Sequence, residues 1–336
     1  MTRPFPPVIL DPAGLQRRIP LAPHQLLDRI TPQRDLFLLA HLGIPRIDPA
    51  SWQITIDGLV ERPSTLSLAA LHRLPKQTVE SFHECAGYPR RPDITTRRIA
   101  NVVWGGVDLA AVLRAAGIND DARYLWAYGV DHGTYDGTQA DCYLKDAPLT
   151  RILEGGALLA YEINGEPLAL EHGGPLRLII PGYYGTNAVK WLSRLELADR
   201  RASGPFTTIF YNDPIPKAET GAADASRPVW EVPAESAIVA PAPDSILRLE
   251  EIDIWGWAWA AAGVVGVEVS TDGGASWREA TVEPRAEWSW QRFRISWEPE
   301  SVGRFMIMAR ATDARGHVQP ARDARNAIHA VAVEVR

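Results

Sequence analysis

Three stretches in the C-terminal third constrain the fold more than anything else in the chain, because their apolar residues recur at every second position. IDIWGWAW (252–259), VVGVEVS (264–270) and FMIMARATD (305–313) alternate in this way, and turn residues such as Asp272-Gly-Gly separate them. Successive side chains of a strand point to opposite faces, so a period of two sets one apolar row against a core and is incompatible with a helix. Short alternating strands with turns between them predict an antiparallel β-sandwich of about 100 residues over 230–336. Its tryptophans are expected as core and interface anchors rather than as a cofactor site.

The first two thirds read differently. WQITIDG (52–58) is a strand followed by a turn, and 76–85, 123–129, 158–163 and 175–180 read as further strands, the last entering a glycine-containing loop. Helices are few and short: one behind Ser67 as N-cap, and one over 107–116 with Asp108 in its first turn and Gly117 as C-cap. Leu36 to His41, followed by Gly43-Ile-Pro-Arg, predicts an ordered apolar arm laid over a domain. Between Thr207 and Pro243 proline, alanine and aspartate concentrate without a period, which marks a surface crossing or linker. The expected fold class is α+β, with a mainly β domain over 1–229 that includes the N-terminal arm. The sandwich over 230–336 follows it and resembles an immunoglobulin-like domain without its disulfide, a module expected to serve in dimerisation.

Composition narrows the function classes. At roughly 150 residues per domain, 336 residues agree with two domains. A net charge of -6 argues against extended nucleic-acid binding but leaves small anions open as ligands. No segment approaches the ~20 consecutive apolar residues of a membrane span, and prolines interrupt the first residues where a signal peptide needs an apolar run, so a cytoplasmic protein with no membrane partner is expected. Two cysteines, Cys85 and Cys142, are too few for a disulfide scaffold or a four-cysteine zinc site, and no CxxCH motif occurs. A redox centre, if present, must be borrowed.

Cys85 is where such a centre could attach. It lies in VESFHECAGYPRR (79–91), at the end of an apolar run and before Arg90 and Arg91, with Arg97 and Arg98 further on. A buried cysteine is most often inert core, but nearby guanidinium groups favour the thiolate that binds metals or attacks electrophiles. A hydrolase with His83 as base is a possible reading. It is disfavoured, because side chains at i and i+2 on a strand lie ~7 Å apart, too far for a thiol–imidazole hydrogen bond.

Several separate segments, in order, resemble the sulfite oxidase family of molybdenum-cofactor enzymes. AHL (40–42) with IDP (47–49), ECAG (84–87) with Arg90-Arg91, WGGVDL (104–109), LAYEINGEPL (159–168), EHGGPLRL (171–178) and VKWL (189–192) match its first domain. STDGGASW (270–277) and HVQP (317–320) are similar to its immunoglobulin-like dimerisation domain. The resemblance implies a molybdopterin cofactor whose metal takes one protein bond, from the residue matching Cys85. A soft thiolate suits a metal already bound by dithiolene sulfur. It also implies that His41, His172, Arg177 and Lys190 hold the pterin and its phosphate, with Asp131 and Asn187 in loops equivalent to further contacts. Tyr211 matches the family's active-site tyrosine. The implied reaction is oxygen-atom transfer with a small-molecule substrate. With no recognisable haem or flavin segment, electrons are expected to pass to or from a separate partner, with oxygen as the alternative acceptor.

The pattern departs from the family where sulfite would bind. Arginines converge on that anion in the family, whereas the corresponding positions here are Leu39, Val103 and Gln291, with Arg292 the alternative equivalent at the last. Tyr88-Pro89 also lengthens the cysteine loop. Each lost charge-assisted hydrogen bond weakens binding by about 1.5–3 kcal/mol, so a substrate other than typical sulfite is expected, such as a sulfoxide. The rival expectations are a true sulfite oxidase with a rearranged anion pocket, and a non-catalytic cofactor-binding or assembly protein.

Overall fold

Strand pairing dominates the computed structural model, which describes the backbone of 10–11 and 16–18 and then residues 21–87, 98–215, 225–322 and 324–336. The chain forms two compact units. One comprises Met1–Ile19, Leu38–Val79 and Val103–Trp230; the other comprises Pro20–Phe37, Glu80–Val102 and Glu231–Arg336.

In the first unit a five-stranded sheet runs in the order Leu144–Pro148, Tyr124–Gly129, Leu192–Ala198, Gln53–Gly58 and Ser64–Ser67. Only the pairing of Leu192–Ala198 with Gln53–Gly58 is parallel. Ile54, Ile56, Leu125, Ala127, Leu195 and Leu197 alternate inward from its strands and belong to one core with Leu109, Leu113, Leu159 and Leu178. A second sheet orders Glu166–Pro167, Leu158–Ile163, Ile99–Asp108 and Lys76–Glu84, with Arg177–Ile179 also paired to Leu158–Ile163. The last two long strands each divide between the units, at Val79–Glu80 and at Val102–Val103.

The helix expected from Val107 starts two residues later, as Leu109–Ala116, and Asp108 is its N-cap, accepting from the Ala110 and Ala111 amides. Val107 and Asp108 instead pair with Leu159 and Leu158 in the sheet, and a residue committed to a ladder cannot also have helical backbone. Ser67 caps Leu68–Leu71 as expected, its hydroxyl accepting from the Ala70 amide. The arm packs through Leu38, Ala40 and Ile44 onto Val130 and Trp191.

The second unit contains the sandwich. Its strands follow the order Glu235–Ala240, Ile252–Trp259, Gln291–Trp297, Arg278–Val282, Val264–Ser270, Gly303–Asp313, Ala330–Val335 and Ser245–Leu247. Arg278–Val282 turns the corner: Thr281 and Val282 pair with Arg294 and Phe293, whereas Arg278 to Ala280 pair with Val269 to Val267. Inside lie Ile254, Val267, Phe293, Ile307 and Ala311. Trp257, Trp259 and Trp290 are buried, and Trp257 stacks on Trp290 at 4.7 Å between ring centroids, in agreement with their expected role as anchors. Trp257 and Trp290 also donate to the carbonyls of Leu26 and Arg29, which ties residues 20–37 to this unit. Both cysteines are free. No described helix is long and apolar enough to cross a membrane.

Candidate cofactor site

Cys85 follows the strand Lys76–Glu84 in the second unit and is 5% exposed. Its amide donates to the Arg98 carbonyl at 3.0 Å, which pins the strand end, and Arg98 Nη1 lies 4.0 Å from Sγ. The neighbouring Glu84 carboxylate accepts from the Trp259 indole at 2.8 Å. His83 stacks its ring on Phe37, 5.6 Å between centroids, so the imidazole is engaged in packing. Tyr88, Pro89, Arg90, Arg91 and Arg97 lie outside the described residues.

The other candidates all belong to the first unit, and most gather around the segment Val189–Lys190–Trp191. Trp191 has a left-handed backbone (φ 49°) secured by its amide donating to the Gly173 carbonyl and its indole to the Leu170 carbonyl. Lys190 is thereby turned inward: Nζ donates to the carbonyls of Leu39 (2.8 Å) and Glu171 (3.1 Å) and sits 4.4 Å from the Trp191 ring centroid. Gly173 (φ 105°) makes this approach possible, because a Cβ there would lie 2.7 Å from Lys190 Cγ and 3.2 Å from Arg177 Cδ. Arg177 is buried with its Nη1 donating to the His172 carbonyl and its Nε to the Ala188 carbonyl, and its guanidinium lies 5.2 Å from the Trp104 ring centroid. His172 Nε2 is 3.8 Å from a Glu171 carboxylate oxygen.

Electrostatics sharpens the picture. Burial pushes the Asp131 carboxyl up, opposed by the Lys190 charge. Burial pushes Lys190 down, and Arg177 pushes the same way, while Asp131 and Glu171 oppose it. Burial also lowers Arg177, to about 10. Burial is the first cause of all three shifts, so each of these charges is poorly solvated. Asp131 Oδ1 and Asn187 Oδ1 are buried and accept from no described residue; Asn187 spends its Nδ2 on the carbonyls of Tyr184 and Val229. Buried acceptors beside buried cations complement a ligand that carries both N–H donors and an anionic group, as a pterin phosphate does. The residues fit the cofactor. No group of three or more His, Cys, Asp or Glu side chains able to hold a metal ion occurs among the described residues.

His41 and Tyr211 form a second focus. The Tyr211 hydroxyl is hydrogen-bonded to His41 Nε2. Tyr211 is left-handed (φ 61°), a conformation of stored strain for a bulky residue, and the Val229 amide donating to its carbonyl holds it. Around His41 stand the rings of Tyr135, Tyr143 and Phe206, at centroid separations of 4.8, 5.5 and 5.3 Å, and Phe210 packs on Tyr135. The two foci meet in the chain, since Lys190 holds the carbonyl two residues before His41.

Leu39 and Val103 use their backbones: Leu39 receives Lys190, and Val103 exchanges hydrogen bonds with Asn164. In the second unit Gln291 is consumed by the sheet, donating to the Val264 and Glu283 carbonyls and accepting from the Val264 amide. Arg292, one residue on, lies over the Trp255 ring with Nε buried and no acceptor among the described residues. Sequence reasoning missed Lys145, Trp191 and the ring cluster. Lys145 had a signal, since Tyr143 and Ala147 share its strand face.

Residues 41–206 match the family described as the oxidoreductase molybdopterin binding domain, and residues 226–333 match the Mo-co oxidoreductase dimerisation domain. The chain is 32% identical to mitochondrial sulfite oxidase of Mus musculus over 87% of its own length and 57% of that protein, so it spans little more than half of this relative. It is 31% identical to sulfite oxidase of Gallus gallus, over 87% of its own length and 68% of that protein. Among solved structures it is similar to the sulfane dehydrogenase SoxCD of Paracoccus pantotrophus, with a TM-score of 0.80, 27% identity and coverage of 95% and 90% of the two chains. The chain belongs to the sulfite oxidase family of molybdopterin oxidoreductases. The cofactor implied by that membership is the molybdenum cofactor.

Proposed function

We propose that this protein catalyses oxygen-atom transfer at a Cys85-bound molybdenum cofactor, with a neutral or weakly charged substrate such as an organic sulfoxide. The supporting observation is the surroundings of Tyr211: rings predominate about the His41–Tyr211 pair, the cation shown beside it is the Lys145 ammonium, and Leu39 and Val103 stand where the family's anion-gripping arginines are expected. A dianion would need several charge-assisted donors, whereas the one ammonium beside Tyr211 donates to the Phe206 carbonyl, and a neutral oxide needs only a hydrogen-bond donor.

The cofactor, when bound, supplies the oxygen-atom and two-electron chemistry. Arg177 and Lys190 hold its anionic end, His172, Asp131 and Asn187 orient the pterin, and Cys85 is the metal ligand. The Tyr211 hydroxyl donates to the substrate oxygen, His41 fixes the direction of that hydroxyl, and the aromatic rings exclude water. A homodimer through the C-terminal domain, a separate electron-transfer partner and a cytoplasmic location belong to the same reading.

A second reading, sulfite as substrate, is favoured by the names of the relatives at 31–32% identity. The structural relative's name adds sulfane sulfur. Steady-state kinetics with sulfite, sulfoxides, N-oxides and persulfides, using artificial electron carriers, separates them. Turnover of sulfoxide or N-oxide with kcat/KM at least tenfold above sulfite is expected, and rapid turnover of sulfite alone with a low KM rules the proposal out.

A further inference from the structure

Lys145 is the one lysine among the largest fully buried side chains, with 1% exposure, and nothing in the proposed cofactor grip uses it. It lies on the strand Leu144–Pro148, where its side chain shares the inner face with Tyr143 and Ala147 while Asp146 takes the opposite face. Its sequence neighbour therefore does not neutralise it: the Asp146 carboxylate accepts two hydrogen bonds from Arg201 and one from the Ala202 amide. Nζ donates to the Phe206 carbonyl at 2.8 Å and lies 5.5 Å from the centroid of the Tyr211 ring. Lys145, Tyr211 and His41 thus form a row of ammonium, phenol and imidazole inside one unit.

We propose that Lys145 is a positioning residue that acts through Tyr211, its charge at the ring face making the phenol a stronger hydrogen-bond donor toward the substrate oxygen. The physical basis is simple. A cation on the face of an aromatic ring draws on its π density, and at 5.5 Å in a poorly screened interior the same charge favours any negative charge that develops on the phenol oxygen. Burial pushes the Lys145 ammonium down to about 7, with Asp146 opposing the shift and Arg201 adding to it, so the influence is present in acid and fades above neutrality. Of the other titratable groups, His41 faces Tyr211, Tyr135 and Tyr143 face His41, and Asp146 and Arg201 act on Lys145. This inference rests on the proposed role of Tyr211 as hydrogen-bond donor to the substrate.

Ring-labelled tyrosine NMR of the full chain across pH 5–9, with Tyr211 assigned through Tyr211→Phe, tests it. The Tyr211 Cζ signal of the unaltered protein is expected to inflect near the midpoint at which the Lys145 13Cε signal titrates. Lys145→Met is expected to abolish the inflection, and Lys145→Arg to hold the signal at its acid-side value. Turnover at pH 6 is expected to fall about tenfold in Lys145→Met and to keep within a few-fold in Lys145→Arg. An inflection that persists in both variants belongs to His41 and overturns the proposal, as does a Tyr211 signal blind to the Lys145 midpoint. If Lys145→Arg does not fold, the loss of the inflection in Lys145→Met carries the test alone. A coupled Tyr211 signal in protein that turns over no oxygen-atom donor or acceptor sustains the coupling and removes the functional reading instead.

Discussion

Individual side chains show how the fold trades stability for a charged interior. Lys145 is held at about 7 by burial, against its ordinary 10.5. Between those pH values the unfolded chain carries a proton on this group that the folded chain does not. Stability therefore rises with pH through that window, and the burial penalty is fully present below about 7. The slope attributable to one proton is at most about 1.4 kcal/mol per pH unit. Urea unfolding of Lys145→Met between pH 7 and 10 is expected to show a shallower rise than the unaltered protein, with Lys190 supplying the part that remains. Equal slopes would mean that Lys145 is charged in the folded state across the whole range. Motif order in the sequence points to candidate positions, and the structure brings Lys190 and Arg177 together among them. The charge of Lys145 was not legible, because a lone lysine in a strand says nothing about which ring its ammonium meets. Tyr211 illustrates the same divide: the resemblance proposes it as a candidate, but its left-handed backbone, held by the Val229 amide, appears only in the structure.

Elements depend on a few positions where no side chain fits. Gly106 pairs with Ala160 across the strands Ile99–Asp108 and Leu158–Ile163, and a Cβ there would lie 2.2 Å from the Leu159 carbonyl oxygen and 2.7 Å from Ala160 Cα. Both contacts are backbone, so no rotamer relieves them. Gly106→Ala is expected to destabilise the first unit by about 2 kcal/mol or more, read as a lower thermal midpoint, and to loosen Arg177, whose strand pairs with the same partner. An unchanged midpoint would show that the ladder can shift. Period-two alternation announced most of the strands, since it reports a face directly. It could not announce that Val107 and Asp108 continue a strand before the helix begins, because both residues suit either state and the pairing with Leu158 and Leu159 decides.

On the scale of the whole molecule, the chain combines a fold with its own cores and a cofactor held by one proposed covalent bond. Cys85 is buried, but the two main described hydrophobic clusters, one in each unit, do not include it. Cys85→Ser is therefore expected to retain its secondary structure, a melting curve close to that of the unaltered protein and its oligomeric state, while losing bound molybdenum by at least an order of magnitude. Metal analysis together with circular dichroism and light scattering checks this, and full molybdenum content in the folded variant would remove Cys85 from the metal. The amino-acid sequence alone announced most of the strands and the ordered segments that resemble the family, because alternation and motif order are local properties of the chain. Only the tertiary structure decided that residues 20–37 and 80–102 join the C-terminal unit, that Lys190 turns inward beside Arg177, and that a buried ammonium lies against the Tyr211 ring. Those outcomes rest on hydrogen bonds and burial between residues far apart in the chain, and a periodicity names the face a residue occupies but not the partner it finds there.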